Sequence, residues 1–191
     1  MKVNEITSAI EAYAPLAYQE SYDNCGMQVG NPMQEVSGVL ITLDVTEAVI
    51  DEAIQKGCNL IISHHPLIFK GPKKICGNNY IERCIIKAIK HDIVIYSSHT
   101  CMDKTAGGVS AKMAEKIGLT DIRPLDEEKH DDKIIGLGII GTLPCEEDAL
   151  TFLKRVKETF EVGSLRHTHL KEGAKVKRVA LCGGSASEFL G

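Results

Sequence analysis

Two adjacent histidines follow a short apolar run near the middle of the first half of the sequence. His64 and His65 come directly after Leu60–Ile62 and Ser63, and Pro66 follows them. An unbroken apolar run is typical of a strand buried on both faces of a sheet, and proline cannot continue a sheet ladder or a preceding helix. The two imidazoles therefore lie where a predicted strand gives way to a loop. In parallel sheets, ligands and catalytic groups collect at this carboxyl end of the strands.

The histidine pair has three interpretations. Neighbouring side chains of a regular strand point to opposite faces, so the two imidazoles converge on one metal ion only if the backbone turns. Without such a turn they suit two neighbouring ions. In the third interpretation they are loop histidines, one of them hydrogen-bonded and the other solvated.

A second apolar run repeats the pattern further along the chain. Ile93–Tyr96 is followed by a polar stretch that contains His99, Cys101 and Asp103. Imidazole and carboxylate are ligands that divalent zinc, manganese and iron accept. Two buried strands that each deliver such groups at the carboxyl end favour a metal site at one edge of the sheet. The Cys101 thiol could coordinate a soft metal or oxidise, or it could be an inert small side chain.

Length, charge and cysteine usage narrow the class of protein. The 191 residues suffice for one substantial core, and the net charge of −4 gives no reason to expect nucleic acid or an anionic membrane as partner. We find no apolar run near the ~20 residues of a membrane-spanning helix and no signal peptide at the start. Seven cysteines without a Cys-x-x-Cys pair predict a reduced, cytoplasmic protein.

Apolar periodicity predicts alternating strands and helices, and therefore an α/β protein: a layered fold with a mainly parallel sheet flanked by helices. Thr46 and Gly57 have the residue types expected at the start and end of one of these helices. The predicted helices start near Val3, Thr46, Ile81 and Val109, and the predicted strands are Val39–Leu43, Leu60–Ile62 and Ile93–Tyr96.

The remaining segments carry weaker patterns. Glu20–Pro32 is rich in glycine, asparagine and aspartate and predicts a structured loop, and the charged stretch Arg123–Lys133 predicts another. Ile134–Gly141 predicts a strand, with acidic residues opening a helix soon after it. Arg166–His169 could place two histidines on one strand face as a metal pair, or could be an exposed strand face. Val179–Cys182 predicts a last, buried strand.

Several motifs in matching order resemble the Nif-three-like family, whose bacterial members are labelled GTP cyclohydrolase I type 2 homologues. The resemblance is nearly continuous from Tyr22 to Ser185. It is carried by the stretches YDNCGMQVG, TLDVTEAVIDEA, IISHHPLIF, SSHTCMDKTAGGV and VALCGGS. Cys101 stands where the family motif usually has asparagine.

The resemblance implies a site for two divalent metal ions (zinc, iron or manganese) in each subunit of a toroidal homohexamer. Position by position, it implies His64, His65 and Asp103 as metal ligands and His99 as a proton shuttle beside the ions. It also implies one Nif-three-like domain over residues 1–191. The family's later histidine and glutamate ligands have no counterpart up to Gly191, so we expect that the domain lacks the family's C-terminal segment.

The family label implies metal-assisted hydrolysis that opens the guanine ring of GTP, although the chain has no P-loop pattern. The substrate would be a small molecule, with neither nucleic acid nor membrane as partner. Two other functions stay open. The chain could be a non-catalytic metal-binding or metal-delivery protein or a ring-shaped scaffold, or it could be a metal-free relic of the site.

Overall fold

The computed structural model describes residues 1–189 and divides the chain into two compact units. The first unit is Met1–Thr105, and the second begins at Ala106. Leu190 and Gly191, which the single-domain prediction includes, lie outside the described residues, and that domain organisation stays a prediction. No helix among residues 1–189 has both the length and the apolarity needed to cross a bilayer.

The first unit contains a four-stranded mixed sheet with the strand order β1-β4-β3-β2. β2, β3 and β4 are parallel neighbours, as the apolar runs predict, and β1 pairs antiparallel with β4 at one edge. The strands are β1 (Gly26–Val29), β2 (Val39–Thr42), β3 (Leu60–Ser63) and β4 (Val94–Ser97).

Helices cover both faces of the two central strands, β3 and β4. Alternation along β3 sends Ile61 into a core with helices α2 and α3, and it sends Leu60 into a second core against α1. Burial on both faces explains why β3 and β4 are short, continuous apolar runs. The helices are α1 (Val3–Tyr13), α2 (Glu47–Lys56), α3 (Tyr80–Lys90) and a single short turn, α4 (Thr100–Lys104).

Local sequence sets the ends of α2 as predicted. The Thr46 side chain accepts a hydrogen bond from the Val49 amide, which satisfies a donor that the first helical turn leaves free. Gly57 closes the helix with φ of 66°, a left-handed conformation that costs glycine little. α2 therefore ends with three residues left before β3 begins at Leu60.

The second unit is an antiparallel sheet, with the strand order β5-β6-β7, packed against two helices. Leu143 is fully buried at the centre of its core. Its elements are α5 (Val109–Lys116), β5 (Thr120–His130), β6 (Lys133–Asp148), α6 (Ala149–Thr159) and β7 (Lys175–Leu181).

The α/β class and the helices that flank a mainly parallel sheet are confirmed, but two segments of the first unit differ from their predictions. The loop predicted for Glu20–Pro32 contains β1, whose edge position lets polar and glycine residues form a strand. His99 caps α4 and Asp103 lies within it, so the segment predicted as a loop after β4 is helical from Thr100.

The second unit departs further from the sequence expectations. Arg123–Lys133 is not a loop: its residues up to His130 belong to β5, a strand whose side chains are mostly exposed. β6 extends past Gly141 to Asp148, so of the acidic residues only Asp148 opens α6, by accepting the Thr151 amide. Arg166–His169 forms no strand. β7 is at most half-buried along its length.

Candidate metal centre

The parallel pairing of β3 and β4 brings the two histidine segments to the same edge of the sheet. Ser63 is the register partner of Ser97, so the residues that follow them leave the sheet side by side. The Ser98 amide donates to the Ser63 carbonyl at 2.9 Å. On the other side, the His64 and His65 amides donate to carbonyls at the end of β2, at 3.2 and 2.9 Å.

Three imidazoles meet at this edge. The ring centroids of His64 and His65 are 5.0 Å apart, and His99 lies 5.1 Å from the first and 5.5 Å from the second. One ring nitrogen from each residue lies within 4.8 Å of the others, which is close enough for a shared metal ion. We call His64, His65 and His99 the histidine cluster. The backbone turn that convergence of neighbouring histidines requires is therefore present.

Each imidazole of the histidine cluster is held by an oxygen at its Nδ1 atom. Carbonyl and carboxylate oxygens accept hydrogen bonds and do not donate them, so each Nδ1 carries the proton and a neutral ring keeps its lone pair on Nε2. Metal-binding histidines are typically fixed in this way. The three pairs are His64 with the Ser98 carbonyl at 3.0 Å, His65 with Asp44 Oδ1 at 2.8 Å, and His99 with Asp23 Oδ1 at 3.0 Å.

The Asp23 carboxylate is enclosed and serves as an anchor. Its side chain is 0% exposed, and it accepts hydrogen bonds from His99 Nδ1, the Thr100 amide and hydroxyl, and the Cys25 thiol. Burial by itself raises the pKa of Asp23, but these hydrogen bonds outweigh it and hold the pKa well below its usual range. Asp23 therefore stays charged and fixes both the His99 ring and the start of α4.

Asp103 adjoins the histidine cluster from α4. Its Oδ2 atom lies 3.7 Å from His64 Nε2, and its side chain is 17% exposed. Burial raises the pKa of Asp103, an effect that nearby imidazoles partly offset. The structure thus brings together all four residues that the sequence singled out, and their separate roles as ligand or proton shuttle stay predictions.

The surroundings of His64 lower its pKa, whereas those of His99 raise its pKa. Burial lowers the pKa of His64, which favours the neutral ring that a metal ion needs. The hydrogen bond that His99 Nδ1 donates to Asp23 raises the pKa of His99 despite its burial, which favours a proton on that ring. One edge of the sheet thus holds a ready lone pair beside a group suited to accept a proton.

Aromatic side chains line one side of the histidine cluster. The Phe69 ring lies edge-on to His99 with centroids 6.3 Å apart, and Tyr22 lies 6.3 Å from Phe69. Both aromatic residues are exposed, and the side chain of His65 is 43% exposed. The cluster is therefore open to solvent at a partly aromatic mouth.

Other candidate ligands lie elsewhere or face away. Cys101 is fully buried, and its thiol lies 3.4 Å from Ser98 Oγ, so in residues 1–189 it is not among the grouped metal-binding side chains. His167 and His169 are exposed, and His167 Nδ1 lies 2.7 Å from the Thr168 carbonyl. Within the described residues, this predicted alternative pair does not form a metal-holding group.

Sequence reasoning did not assign a role to Asp44. It follows β2, a parallel neighbour of β3, so its carboxylate reaches the same edge as His65. Its position just after a third parallel strand is the sequence feature that could have indicated its place beside the histidines. Asp23 lies in Glu20–Pro32, whose composition is typical of a loop, so an aspartate there suits a turn as well as a site.

Comparison with known proteins finds relatives along the whole chain. Residues 1–191 match the model of the family described as Duf34/NIF3 (NGG1p interacting factor 3). The chain is 35% identical over 189 residues to the GTP cyclohydrolase 1 type 2 homolog of Clostridium acetobutylicum, an alignment that covers 99% of this chain and 70% of the relative.

Solved structures show the same fold. The Staphylococcus aureus protein SA1388 superposes with a TM-score of 0.88 at 29% identity, over 99% of this chain and 74% of that protein. A Bacillus cereus protein related to NIF3 superposes with a TM-score of 0.89 at 26% identity, over 100% of this chain and 78% of that one. The match along the whole sequence and the shared fold lead to one conclusion: this chain belongs to the Duf34/NIF3 family.

Proposed function

We propose that this chain is a metal-dependent hydrolase with a dinuclear site for zinc, iron or manganese. One observation carries the proposal: each imidazole of the histidine cluster is held at Nδ1 by an oxygen, and one ring nitrogen of each lies within 4.8 Å of the others at one edge of the sheet. The donor set of imidazoles with an adjoining carboxylate suits these metals.

The residues divide the work between binding and proton transfer. His64, His65 and Asp103 would hold the ions. Bound divalent ions would supply Lewis-acid activation of water for attack on the substrate. His99 accepts and returns a proton at Nε2, and the buried Asp23 carboxylate stabilises the protonated ring through Nδ1.

The substrate is an unidentified small molecule. The relatives carry the name GTP cyclohydrolase 1 type 2 homolog, which denotes hydrolytic chemistry on a heterocycle. Phe69, beside His99, offers an aromatic edge against which a planar group can pack. We further propose a cytoplasmic homohexameric ring as the working form, on the family resemblance.

A second candidate function is metal binding and delivery without turnover. The 43% exposure of the His65 side chain favours it, because a ligand open to solvent lets an ion exchange readily. An enzyme would hold its ions through repeated turnovers, whereas a carrier would release them to a competing chelator or an acceptor protein.

Metal content per chain tests the site itself. We expect the purified protein to contain divalent metal by elemental mass spectrometry, and His65→Ala to lose most of it. His167→Ala, which removes an exposed histidine outside the histidine cluster, is the matched control and keeps the wild-type content. Equal metal content in all three proteins would remove the basis for the ligand assignment.

A substrate screen then separates the two functions. The metal-loaded protein is incubated with nucleotides and other hydrolysable small molecules, and its metal is challenged in parallel with a chelator. Hydrolysis that disappears in His99→Ala while metal content is retained supports the hydrolase. Rapid loss of metal to the chelator with no hydrolysis supports delivery instead.

A further inference from the structure

Two cysteine side chains meet beside the histidine cluster. The thiols of Cys25 and Cys101 hydrogen-bond to each other in the folded chain. Both thiols are free; Cys101 is fully buried, and Cys25 is half-buried. The sequence leaves oxidation open for Cys101, and the fold supplies the second thiol that a disulfide needs.

The edge of the first sheet holds this pair of thiols in place. Cys25 directly precedes β1, which pairs with β4, so it lies beside the residues that follow β4. The His99 amide donates to Cys25 Sγ at 3.4 Å, and Cys101 Sγ lies 3.4 Å from Ser98 Oγ. Both thiols therefore contact the short turn between β4 and α4.

Contact between the two thiols favours redox chemistry. Within residues 1–189, neither thiol belongs to the grouped metal-binding side chains. Hydrogen-bonded sulfur atoms need only a small movement to reach the S–S distance of about 2.05 Å. In proteins that otherwise keep their cysteines reduced, disulfides are typically transient, and they act in redox sensing or catalysis.

We propose that Cys25 and Cys101 form a reversible disulfide when a hydroperoxide oxidises them, and that this bond weakens the metal centre. The assignment of the oxidation site depends only on the two thiols and their surroundings. The effect on metal binding rests on the proposed function, because it concerns the same histidine cluster.

The reaction takes two balanced steps. The Cys25 sulfur, the more exposed of the two, takes the terminal oxygen of the hydroperoxide and becomes a sulfenic acid, while the peroxide O–O bond breaks and an alcohol or water leaves. The Cys101 sulfur then attacks the sulfenic sulfur, so that the S–S bond forms, the S–OH bond breaks and water leaves. The two sulfurs lose two electrons, which reduce the peroxide.

Oxidation changes the anchor of His99. The Cys25 thiol donates to Asp23 Oδ2 at 3.1 Å, and a disulfide has no S–H group to donate. The new bond also ties the chain before β1 to α4, which carries Asp103 next to the histidine cluster. Loss of groups that orient metal ligands typically lowers metal affinity by about 10- to 100-fold. We therefore expect the disulfide form to bind metal more weakly.

Peptide mapping tests the disulfide in the full chain. Trypsin cuts after lysine and arginine, so it releases residues 3–56, with Cys25 as their sole cysteine, and residues 91–104, with Cys101 as theirs. The purified protein is treated with hydrogen peroxide, its remaining thiols are alkylated, and it is digested without reductant. We expect mass spectrometry to find these two peptides linked, and reduction to separate them.

Substitutions identify the two sulfurs. Cys25→Ser and Cys101→Ser should each lose the linked peptides. Cys145→Ser, which removes an exposed cysteine of the second unit, is the matched control and should keep them. Absence of the linked peptides from the wild type, under conditions that oxidise Cys145, would overturn the proposal. A link found only in dimers on a non-reducing gel would overturn it too.

Zinc affinity tests the effect on the metal centre. We expect the oxidised wild type to bind zinc about tenfold more weakly than the reduced protein in competition with a chromophoric chelator, and reduction by a phosphine to restore binding. Peroxide should not change the zinc affinity of Cys25→Ser. Equal affinity before and after disulfide formation would overturn the effect on the site. Absence of zinc binding by the reduced wild type would instead overturn the proposed function, and the peptide map would still decide the disulfide.

Discussion

The Asp44 carboxylate accepts a hydrogen bond from His65 Nδ1, so a substitution that removes its charge tests the metal centre. Asp44→Asn keeps an oxygen near His65 Nδ1 but removes the negative charge that orients the ring through its Nδ1 proton. We expect metal affinity to fall by about tenfold, measured by competition with a chromophoric chelator.

The matched control for this change is Asp131→Asn. Asp131 also lies beside a histidine nitrogen, His130 Nδ1, at 3.5 Å, but it belongs to the turn between β5 and β6. Its substitution should leave metal affinity unchanged. If both variants bound metal as the wild type does, the Asp44 carboxylate would have no part in the site.

At the residue scale, the sequence was most informative where chemistry coincides with a strand end. His64, His65, His99 and Asp103 were all found in this way, and the structure brings them together. The supporting oxygens were harder to find, because the Ser98 carbonyl belongs to no particular residue type. The role of Asp23 depends on a contact with His99, 76 positions away, which no local pattern encodes.

The start of α3 offers a test at the scale of a single element. Glu82 accepts hydrogen bonds from the amides of Asn78 and Cys76, at 2.9 and 3.0 Å, and these bonds lower its pKa. A carboxylate with a lowered folded-state pKa stabilises the fold above its unfolded-state pKa, about 4.3, and loses that contribution as the pH falls through the folded-state value.

Glu82→Gln should therefore be less stable than the wild type near neutral pH, and the difference should shrink in acid. Urea unfolding at a series of pH values measures it. Glu52→Gln, which removes an exposed glutamate paired with Lys56 at 3.5 Å, is the control and should show a much smaller dependence. The same pH profile in both variants would contradict the role given to the Glu82 carboxylate.

At the element scale, prediction succeeded for buried strands and failed for exposed or short ones. β3 and β4 are apolar runs because helices cover both faces of their sheet. β5 is rich in charge because most of its side chains face solvent, so its composition resembles that of a loop. α4 has five residues, too few to produce a helical period.

The division into two units suggests a test on the whole molecule. All members of the histidine cluster, and both aspartates that support it, belong to the unit Met1–Thr105. Added zinc should therefore slow amide hydrogen exchange in β3, β4 and the segments that follow them. At about 100 times the dissociation constant, a ligand that binds only the folded state adds about 2.7 kcal/mol of stability.

Exchange in the β5–β6 hairpin should change much less, and His65→Ala should abolish the zinc effect in the first unit. Mass spectrometry of peptides from the two units provides the measurement. Equal protection of both units, or protection that persists in the variant, would show that zinc acts somewhere other than the histidine cluster.

At the scale of the molecule, the sequence predicted the family and the α/β class, and it did not predict the two units. The antiparallel second sheet contains β5, which its charged residues make look like a loop in the sequence. It also contains the part of β6 that extends past Gly141. Apolar periodicity appears in a sequence only where side chains are buried. In the second sheet the buried side chains belong mainly to β6 and β7, so β5 shows no apolar pattern.

His64 and His99 lie at opposite ends of one β3–α3–β4 crossover. In an unfolded chain an ion would find only His64 and His65 of the histidine cluster together, because His99 joins them only when the crossover forms and the two strands pair. An ion bound by His64, His65 and His99 would be a reversible cross-link between the ends of β3 and β4, comparable to a disulfide. It would bind the folded chain more tightly than the unfolded chain. Metal supply would then set the lifetime of the folded protein as well as its chemistry.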